Sequence, residues 1–241
     1  MITSLTNQKV KEWCKLHQKK YRDETGMFLV EEAHLIQEAI QANIVETIIS
    51  TSQDVPFEWD IIEWVDQKVM NKISRHVSEV QHIALCHYPK IESSENKRAL
   101  LLDDVQDPGN VGTMIRSAVS FGFDHIYLSK NCCDVYNEKC IRASQGAIFK
   151  IAIESVDLVS RMQGLKEEGF CVVGTSLQES ICVETLKPQE KMAFVLGNEG
   201  QGVSKEVLNE TTINVIIPIV NFESLNVGVA AGILCYLFKS N

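Results

Sequence analysis

From residue 99 onward, short runs of apolar residues alternate with stretches in which apolar residues recur every three or four positions. The runs contain almost no polar residues and predict buried strands, whereas the stretches between them predict amphipathic helices. Strands without a polar face, separated by helices, are typical of a mostly parallel sheet covered on both sides. The predicted strands span residues 99–105, 125–129, 170–176, 192–197 and 213–219, with helices at 110–121 and 224–238.

The first 88 residues mix helices with short strands. Val10, Trp13 and Leu16 have near-helical spacing and predict a first helix over residues 7–20. The polar stretch that follows this part contains a proline and two serines, and it predicts a linker. We therefore predict a smaller α/β domain over residues 1–88, a linker over 89–97 and a larger α/β domain over 98–241.

Composition narrows the class of protein. The chain has 241 residues, of which 45% are hydrophobic, as in ordinary globular domains. No apolar run reaches the roughly 18 residues that a membrane helix needs, and the N-terminus lacks the apolar segment of a secretory signal. The eight cysteines include no CxxC pair. We therefore expect a cytoplasmic protein with free thiols, without a metal site and without a membrane partner.

The charge is distributed unevenly. The net charge of −9 argues by itself against a nucleic-acid partner. However, residues 1–22 carry a net charge of +5, against −14 for the rest of the chain. This asymmetry indicates either a local basic face on an acidic body or a solvated helix surface. The basic residues of this segment are Lys9, Lys11, Lys15, Lys19, Lys20 and Arg22.

Three later segments contain the polar and glycine residues that are typical of a ligand site. In the first, residues 101–122, a strand ends at the polar turn DPGN and a helix begins. Asn110 is placed to cap this helix, and Arg116 lies off its apolar stripe. Ligands of open α/β sheets bind where strands end and helices begin. An ordinary capped turn with a surface arginine explains the same pattern.

The second segment, residues 194–204, is a strand followed by a loop with three glycines and one acid, Glu199. Such turns often hold nucleotide-like ligands, although this spacing is neither GxGxxG nor a P-loop. In the third segment, residues 216–236, Ser224 is placed to cap a last helix that is apolar on all sides and is therefore predicted to be buried. A buried Asn226 at its start needs partners, either in the protein or in a ligand.

In this order, the three segments resemble the motifs of the SpoU (TrmH-like) family of RNA 2′-O-ribose methyltransferases, of the SPOUT class. The N-x5-R motif is matched by Asn110 and Arg116, the GNEGxG loop by residues 197–202, and the IP…SLN motif by residues 217–218 and 224–226. The resemblance covers most of the chain after the linker. The part before it looks like the substrate-binding domain that some family members carry.

The resemblance implies a fold, a reaction and an assembly. Members of the family have an α/β fold with a C-terminal trefoil knot, transfer a methyl group from S-adenosylmethionine and form homodimers. By resemblance, the cofactor is held at the knot, mainly by backbone groups. The residues implied for this role are Leu196, Gly197, Gly202, Ile217 and Leu225.

The resemblance also implies catalytic roles. Arg116 is the residue closest to the reacting hydroxyl and is the proposed base. Because an arginine side chain is almost never neutral, it can instead stabilise developing negative charge or hold a phosphate. Asn110 and Asn226 would orient the ribose or Arg116. Glu199 would organise the cofactor loop or pair with Arg116, and Ser224 would cap the last helix and contact the site.

We predict RNA as the partner, with ribosomal RNA as the first substrate class and transfer RNA as the alternative. The basic residues of the first segment would grip the RNA, and Arg142 would either contact a phosphate or form a surface ion pair. A non-catalytic RNA-binding or ribosome-assembly factor on the same fold is a further alternative, against which the intact motifs argue. A nicotinamide oxidoreductase is disfavoured because the chain lacks GxGxxG and the acid that follows it.

Overall fold

The computed structural model of the chain describes residues 1–75, 79–91, 97–221 and 224–240. These residues form a four-stranded sheet in the first third of the chain and a seven-stranded sheet in the remainder. None of the helices among them is both long and apolar enough to cross a bilayer. The predicted linker falls mostly on residues 92–96, which lie outside the described residues, so the limits of the two domains stay predictions.

The first sheet is mixed. Its strand order is β1-β4-β2-β3, with β4 antiparallel to its two neighbours and β2 parallel to β3. The side chains of Val10, Trp13 and Met70 are buried together on one side of it. The elements are α1 (Gln8–Lys15), α2 (Lys19–Thr25), β1 (Met27–Val30), α3 (Ala33–Gln41), β2 (Val45–Ser50), β3 (Ile62–Trp64), α4 (Gln67–Ile73) and β4 (His82–His87).

The prediction of one helix over residues 7–20 is wrong, because the chain forms two helices there. The first is followed by Leu16, whose side chain is buried, and the second starts three residues later. The guanidinium of Arg22 donates a hydrogen bond to the Leu16 carbonyl. This bond satisfies one of the carbonyls left without a partner at the end of α1, and it stabilises the break.

The second sheet is parallel throughout, which confirms the predicted fold class. Its order is β7-β6-β5-β10-β8-β11-β9, and the adjacent strands β5 and β10 are buried along their whole length. The elements are β5 (Arg98–Asp103), α5 (Pro108–Ser120), β6 (His125–Leu128), α6 (Glu138–Ser144), β7 (Ala152–Ser155), α7 (Leu158–Glu167), β8 (Cys171–Thr175), β9 (Ile181–Cys182), β10 (Met192–Gly197), α8 (Lys205–Asn209), β11 (Ile213–Ile216) and α9 (Val227–Leu237).

Two helix caps differ from the predictions. Asp107, not Asn110, caps α5, because its carboxylate accepts a hydrogen bond from the Asn110 backbone N–H at 2.9 Å, and Pro108 supplies the first helical residue. Asn226, not Ser224, caps α9 by accepting hydrogen bonds from the first turn of that helix. Asn226 is exposed rather than buried.

The last helix is not buried on all sides as its composition predicted. Ala231, Leu234 and Cys235 are fully buried against the sheet. On other sides of α9, Val229 is 51% exposed and Tyr236 is 56% exposed. The helix therefore presents an apolar surface that the described chain leaves uncovered.

Candidate active site

The first two predicted motifs meet at the C-terminal ends of two central strands. Asp103, the last residue of β5, lies opposite Gly197, the last residue of β10. The turn into α5 and the loop after β10 therefore leave the sheet side by side, at the edge where open α/β sheets bind ligands. The third motif reaches the same place because α9 packs on α5, so closely that a Cβ on Gly228 would lie 3.5 Å from the Thr113 side chain.

The loop after β10 folds back on itself. The backbone N–H groups of Asn198 and Gly202 each donate to the other residue's carbonyl, at 3.0 and 2.9 Å. The Asn198 side chain accepts from the N–H groups of Gly200 and Gln201 and donates to the Asp104 carbonyl at 2.9 Å, which ties the loop to the end of β5. Asn198 is thus a structural residue of the site that the sequence analysis did not single out.

A continuous set of hydrogen bonds joins the three motifs. The side-chain amide Nδ2 of Asn226 donates to Oδ1 of Asn110 at 3.0 Å, and the side-chain amide Nδ2 of Asn110 donates to Glu199 Oε1 at 3.0 Å. Glu199 also accepts from the backbone N–H groups of Gln106 and Asp107, at 3.3 and 3.1 Å. Each predicted polar residue of this set is therefore held by another motif, and the orientation of both asparagine amides is fixed.

These contacts select between the two roles predicted for Glu199. Its carboxylate organises the loop and the start of α5, and no ion pair between it and Arg116 occurs within the described part of the chain. Partial burial acts to raise the pKa of the Glu199 carboxyl, but hydrogen bonds from the Asn110 amide and from backbone N–H groups outweigh burial. The pKa therefore lies below its usual range.

We expect Glu199→Gln to weaken this set of bonds, because the introduced amide would point a donor at backbone N–H donors. The free energy of unfolding at neutral pH should fall by about 1 kcal/mol. Since the folded pKa is lowered, the native protein keeps this contribution above the ordinary glutamate pKa and loses it as the pH falls through the folded value. In the Glu199→Gln variant, the free energy of unfolding should lack this part of its dependence on pH.

Urea unfolding between pH 3 and pH 7 measures both effects. The matched control is Glu167→Gln, which changes an exposed glutamate on α7. Equal pH dependence in the two variants would contradict the role given to Glu199.

Arg116 is exposed on α5, one helical turn after Thr113. Among the described residues its guanidinium forms no hydrogen bond or ion pair, whereas its backbone belongs to α5 and its carbonyl also accepts from Ser120 Oγ. The side chain is therefore available to a ligand. It can present five donors to a phosphate or to a developing oxyanion.

The predicted cofactor residues lie around one open edge. β10 continues for two residues, Leu196 and Gly197, beyond its last pairing with β8, so their backbone groups on that side are not used by β8. Ile217 follows the end of β11 and is half-buried, whereas Leu225 is 37% exposed. Gly202 has a left-handed backbone (φ +72°), and a Cβ there would meet nothing within 4 Å. The edge thus combines backbone groups with apolar side chains.

Two acids before the α5 turn also support the site. Asp103 is buried, and its carboxylate accepts a hydrogen bond from the Ser204 backbone N–H at 2.7 Å, across from β5 to the end of the glycine loop. Asp104 accepts from Ser129 Oγ at 2.5 Å and from the Asn131 amide at 3.1 Å. No pattern in the sequence predicts the partners of these two acids, which lie at least 25 residues away along the chain.

The residues predicted to bind RNA divide into two groups. The five lysines of the first segment are exposed, and the ammonium groups of Lys15 and Lys20 lie 5.3 and 5.8 Å from the centre of the Tyr21 ring. Arg142 is exposed on α6. The prediction that Arg22 binds RNA is wrong. Its guanidinium is buried and paired with Asp134, so it cannot face a phosphate. Ser224 is exposed beside Leu225.

Comparisons with known proteins agree with this arrangement. Residues 97–236 match the SpoU rRNA methylase family, and residues 7–84 match the MRM3-like substrate binding domain. The protein named 23S rRNA (guanosine(2553)-2′-O)-methyltransferase RlmP from Bacillus subtilis is 37% identical to the chain, over 98% of the chain and 97% of that protein.

Solved structures show the same fold. The AdoMet-bound rRNA methyltransferase from Sinorhizobium meliloti superposes with a TM-score of 0.86 at 28% identity, covering 98% of this chain and 95% of that one. The SpoU methyltransferase AviRb from Streptomyces viridochromogenes has a TM-score of 0.85 at 22% identity, covering 95% and 96%. Both similarities extend over the two sheets.

Proposed function

The chain belongs to the SpoU rRNA methylase family, and from that premise we propose that it transfers a methyl group from S-adenosylmethionine to a ribose 2′-hydroxyl of ribosomal RNA. The observation that supports this most is the hydrogen-bonded set Glu199–Asn110–Asn226, which joins all three motifs. Arg116 is exposed on the same helix as Asn110 and forms no ion pair with any described residue. The relative from Bacillus subtilis is named for this chemistry on 23S rRNA. That name favours ribosomal over transfer RNA.

The residues at the open edge fit S-adenosylmethionine. The backbone of Leu196 and Gly197 continues past β8, and Ile217 and Leu225 offer apolar surface for a nucleoside ring. The loop 197–202 brings backbone amides rather than bulky side chains to this edge. S-adenosylmethionine supplies, when bound, a methyl group that its sulfonium makes electrophilic. The trefoil knot of the family would lie at this edge.

The chain's own contribution is to place the hydroxyl and to manage its charge. Arg116, exposed and unpaired in the described structure, would hold the target nucleotide through its phosphate or stabilise the oxygen as its proton leaves. A guanidinium that stays protonated suits this role better than proton abstraction. Asn110 and Asn226 are fixed by each other and by Glu199, so they would hold the ribose in one orientation.

The exposed lysines of α1 and α2 would bind the RNA backbone. Reversing the charge of Lys11, Lys15 and Lys19 should weaken RNA binding at least tenfold and reduce the slope of log affinity against log salt by about 2 to 3. Filter binding to ribosomal RNA at 50–200 mM salt measures both quantities. The control reverses Lys166, Lys187 and Lys205, which lie in the part of the chain after the linker. If the two sets of charge reversals weaken RNA binding equally, α1 and α2 are an ordinary solvated surface and not a specific RNA-binding face.

We also propose a homodimer in the cytoplasm, where ribosomal RNA is modified. The uncovered apolar surface of α9, with Val229 and Tyr236, would face the second copy. This surface lies beside the third motif, so the second copy would approach the site.

The experiment that tests the proposed function uses labelled S-adenosylmethionine and total RNA from a strain lacking the gene. Label in the ribosomal fraction, at a bond that resists alkaline cleavage, is the expected result. Label in transfer RNA alone would show that the substrate is transfer RNA and not ribosomal RNA. RNA binding with neither label nor cofactor binding would favour the non-catalytic factor.

A further inference from the structure

The lysines of α2 are connected to α5, the helix that carries Asn110 and Arg116, by a buried contact that no predicted motif contains. Arg22 lies on α2 next to Lys19 and Lys20, and its guanidinium pairs with Asp134. The side chains of Arg22 and Asp134 are only 6% and 15% exposed, respectively. The pair joins positions 112 residues apart and bridges the first and second parts of the chain.

Aromatic rings extend this contact. Tyr136, whose backbone N–H donates to Asp134 Oδ1 at 3.0 Å, stacks on Tyr88 with ring centroids 4.0 Å apart and an interplanar angle of 13°. It also lies 4.9 Å from the Phe28 ring of β1. The Tyr88 hydroxyl in turn donates to Asp23 of α2 at 3.2 Å. Asp134 and Tyr136, which are two positions apart in the chain, thus both contact the first part of the chain.

The segment after these residues packs directly on α5. It continues into α6, where the Lys139 ammonium lies 2.7 Å from the carboxylate of Asp107, the cap of α5. A Cβ on Gly112 of α5 would lie 2.6 Å from the Cys140 carbonyl, so α5 and α6 are in backbone contact. Asn110 and Arg116 are on this same α5.

We propose that Asp134 and Tyr136 are positioning residues, which fix the RNA-binding lysines of α2 relative to Arg116 and thereby determine which nucleotide reaches the site. This inference rests on the proposed function. A rigid connection is needed because a misplacement of about 1 Å at the reacting atoms can lower the rate on the order of 10²-fold. Lysines on a loosely held domain would bind RNA without selecting a nucleotide.

Asp134→Ala and Tyr136→Leu test this through two measurements. Methylation of the preferred nucleotide should fall at least tenfold, with new methylated riboses nearby, while the S-adenosylmethionine Kd changes less than about twofold. Lys150→Ala is the matched control, because it removes a more exposed ion pair, with Glu38, between the same two parts of the chain. It should behave like the native protein.

The second measurement is a double-mutant cycle on binding of ribosomal RNA, which needs no methyl transfer. If Asp134 positions the lysines of α2, charge reversal of Lys19 and Lys20 should cost at least threefold less affinity in the Asp134→Ala background than in the native background. If the affinity loss of the combined variant equals the product of the two separate losses within about twofold, the proposal is overturned. Lysine reversal that leaves the affinity unchanged would also overturn it. If Asp134→Ala does not fold, Tyr136→Leu takes its place in the cycle. Coupled binding without any methyl transfer would overturn the proposed function and leave this connection standing.

Discussion

Replacing Arg116 by alanine is expected to lower methyl transfer by at least about 10²-fold while leaving the fold and the cofactor affinity unchanged. The side chain is exposed and forms no hydrogen bond or ion pair with the described residues, so its removal leaves no buried cavity and no unsatisfied polar partner among them. Its loss would remove a cation that forms no ion pair with any described residue and lies on the same helix as Asn110. Single-turnover transfer to ribosomal RNA measures the rate, and calorimetry measures the S-adenosylmethionine Kd.

Two variants sharpen this prediction. Arg116→Lys keeps the charge but loses the planar set of donors, so it should recover only part of the rate. Lys187→Ala removes an exposed cation from the loop that enters β10 at the end opposite Gly197, and it should be neutral. If Arg116→Ala transfers methyl groups at a rate within a few-fold of the native protein, Arg116 has no role in the reaction.

Replacing Gly197 by alanine should abolish cofactor binding. A Cβ at this position would lie 2.1 Å from the Gly202 carbonyl carbon and from the Val203 nitrogen. Both are backbone atoms, so the glycine loop must move off the end of β10, and the edge that would hold the cofactor changes shape. Overpacking of this kind costs about 1–3 kcal/mol, which a domain of ordinary stability survives. Calorimetry with S-adenosylmethionine and thermal unfolding measure the two effects.

The matched control lies in the same loop. A Cβ on Gly200 would come no closer than 3.6 Å to another atom, that of the Asn198 side chain, so Gly200→Ala should bind the cofactor normally. If Gly197→Ala binds S-adenosylmethionine as tightly as the control, the loop is not part of the cofactor site.

The central strands of the second sheet were predictable because they are buried on both faces. An apolar run such as the one in β5 or β10 has no other stable place in a globular domain. Short or edge strands were missed for the converse reason. β7 is half polar and β9 has only two residues, so neither differs in pattern from a loop. The exposed side of α9 was missed because composition alone cannot show which apolar face the chain leaves uncovered.

The residues of the site were predictable from their motifs, but their contacts were not. Asn110 was assigned to the cap of α5, although the Asp107–Pro108 step is the stronger signal for a helix start. Its actual partners, Glu199 and Asn226, are 89 and 116 residues away along the chain. Arg22 failed for the same reason, because a charge pattern cannot reveal that one of six basic residues pairs with a distant Asp134.

The most direct test of the central claim is a map of ribose methylation in ribosomal RNA from three strains. These lack the gene, carry the native gene, or carry the Arg116→Ala variant. We predict one 2′-O-methylated nucleotide that is present with the native gene and absent from the other two strains. Identical ribosomal maps in all three strains would contradict the assignment of this chain as a ribosomal RNA 2′-O-methyltransferase.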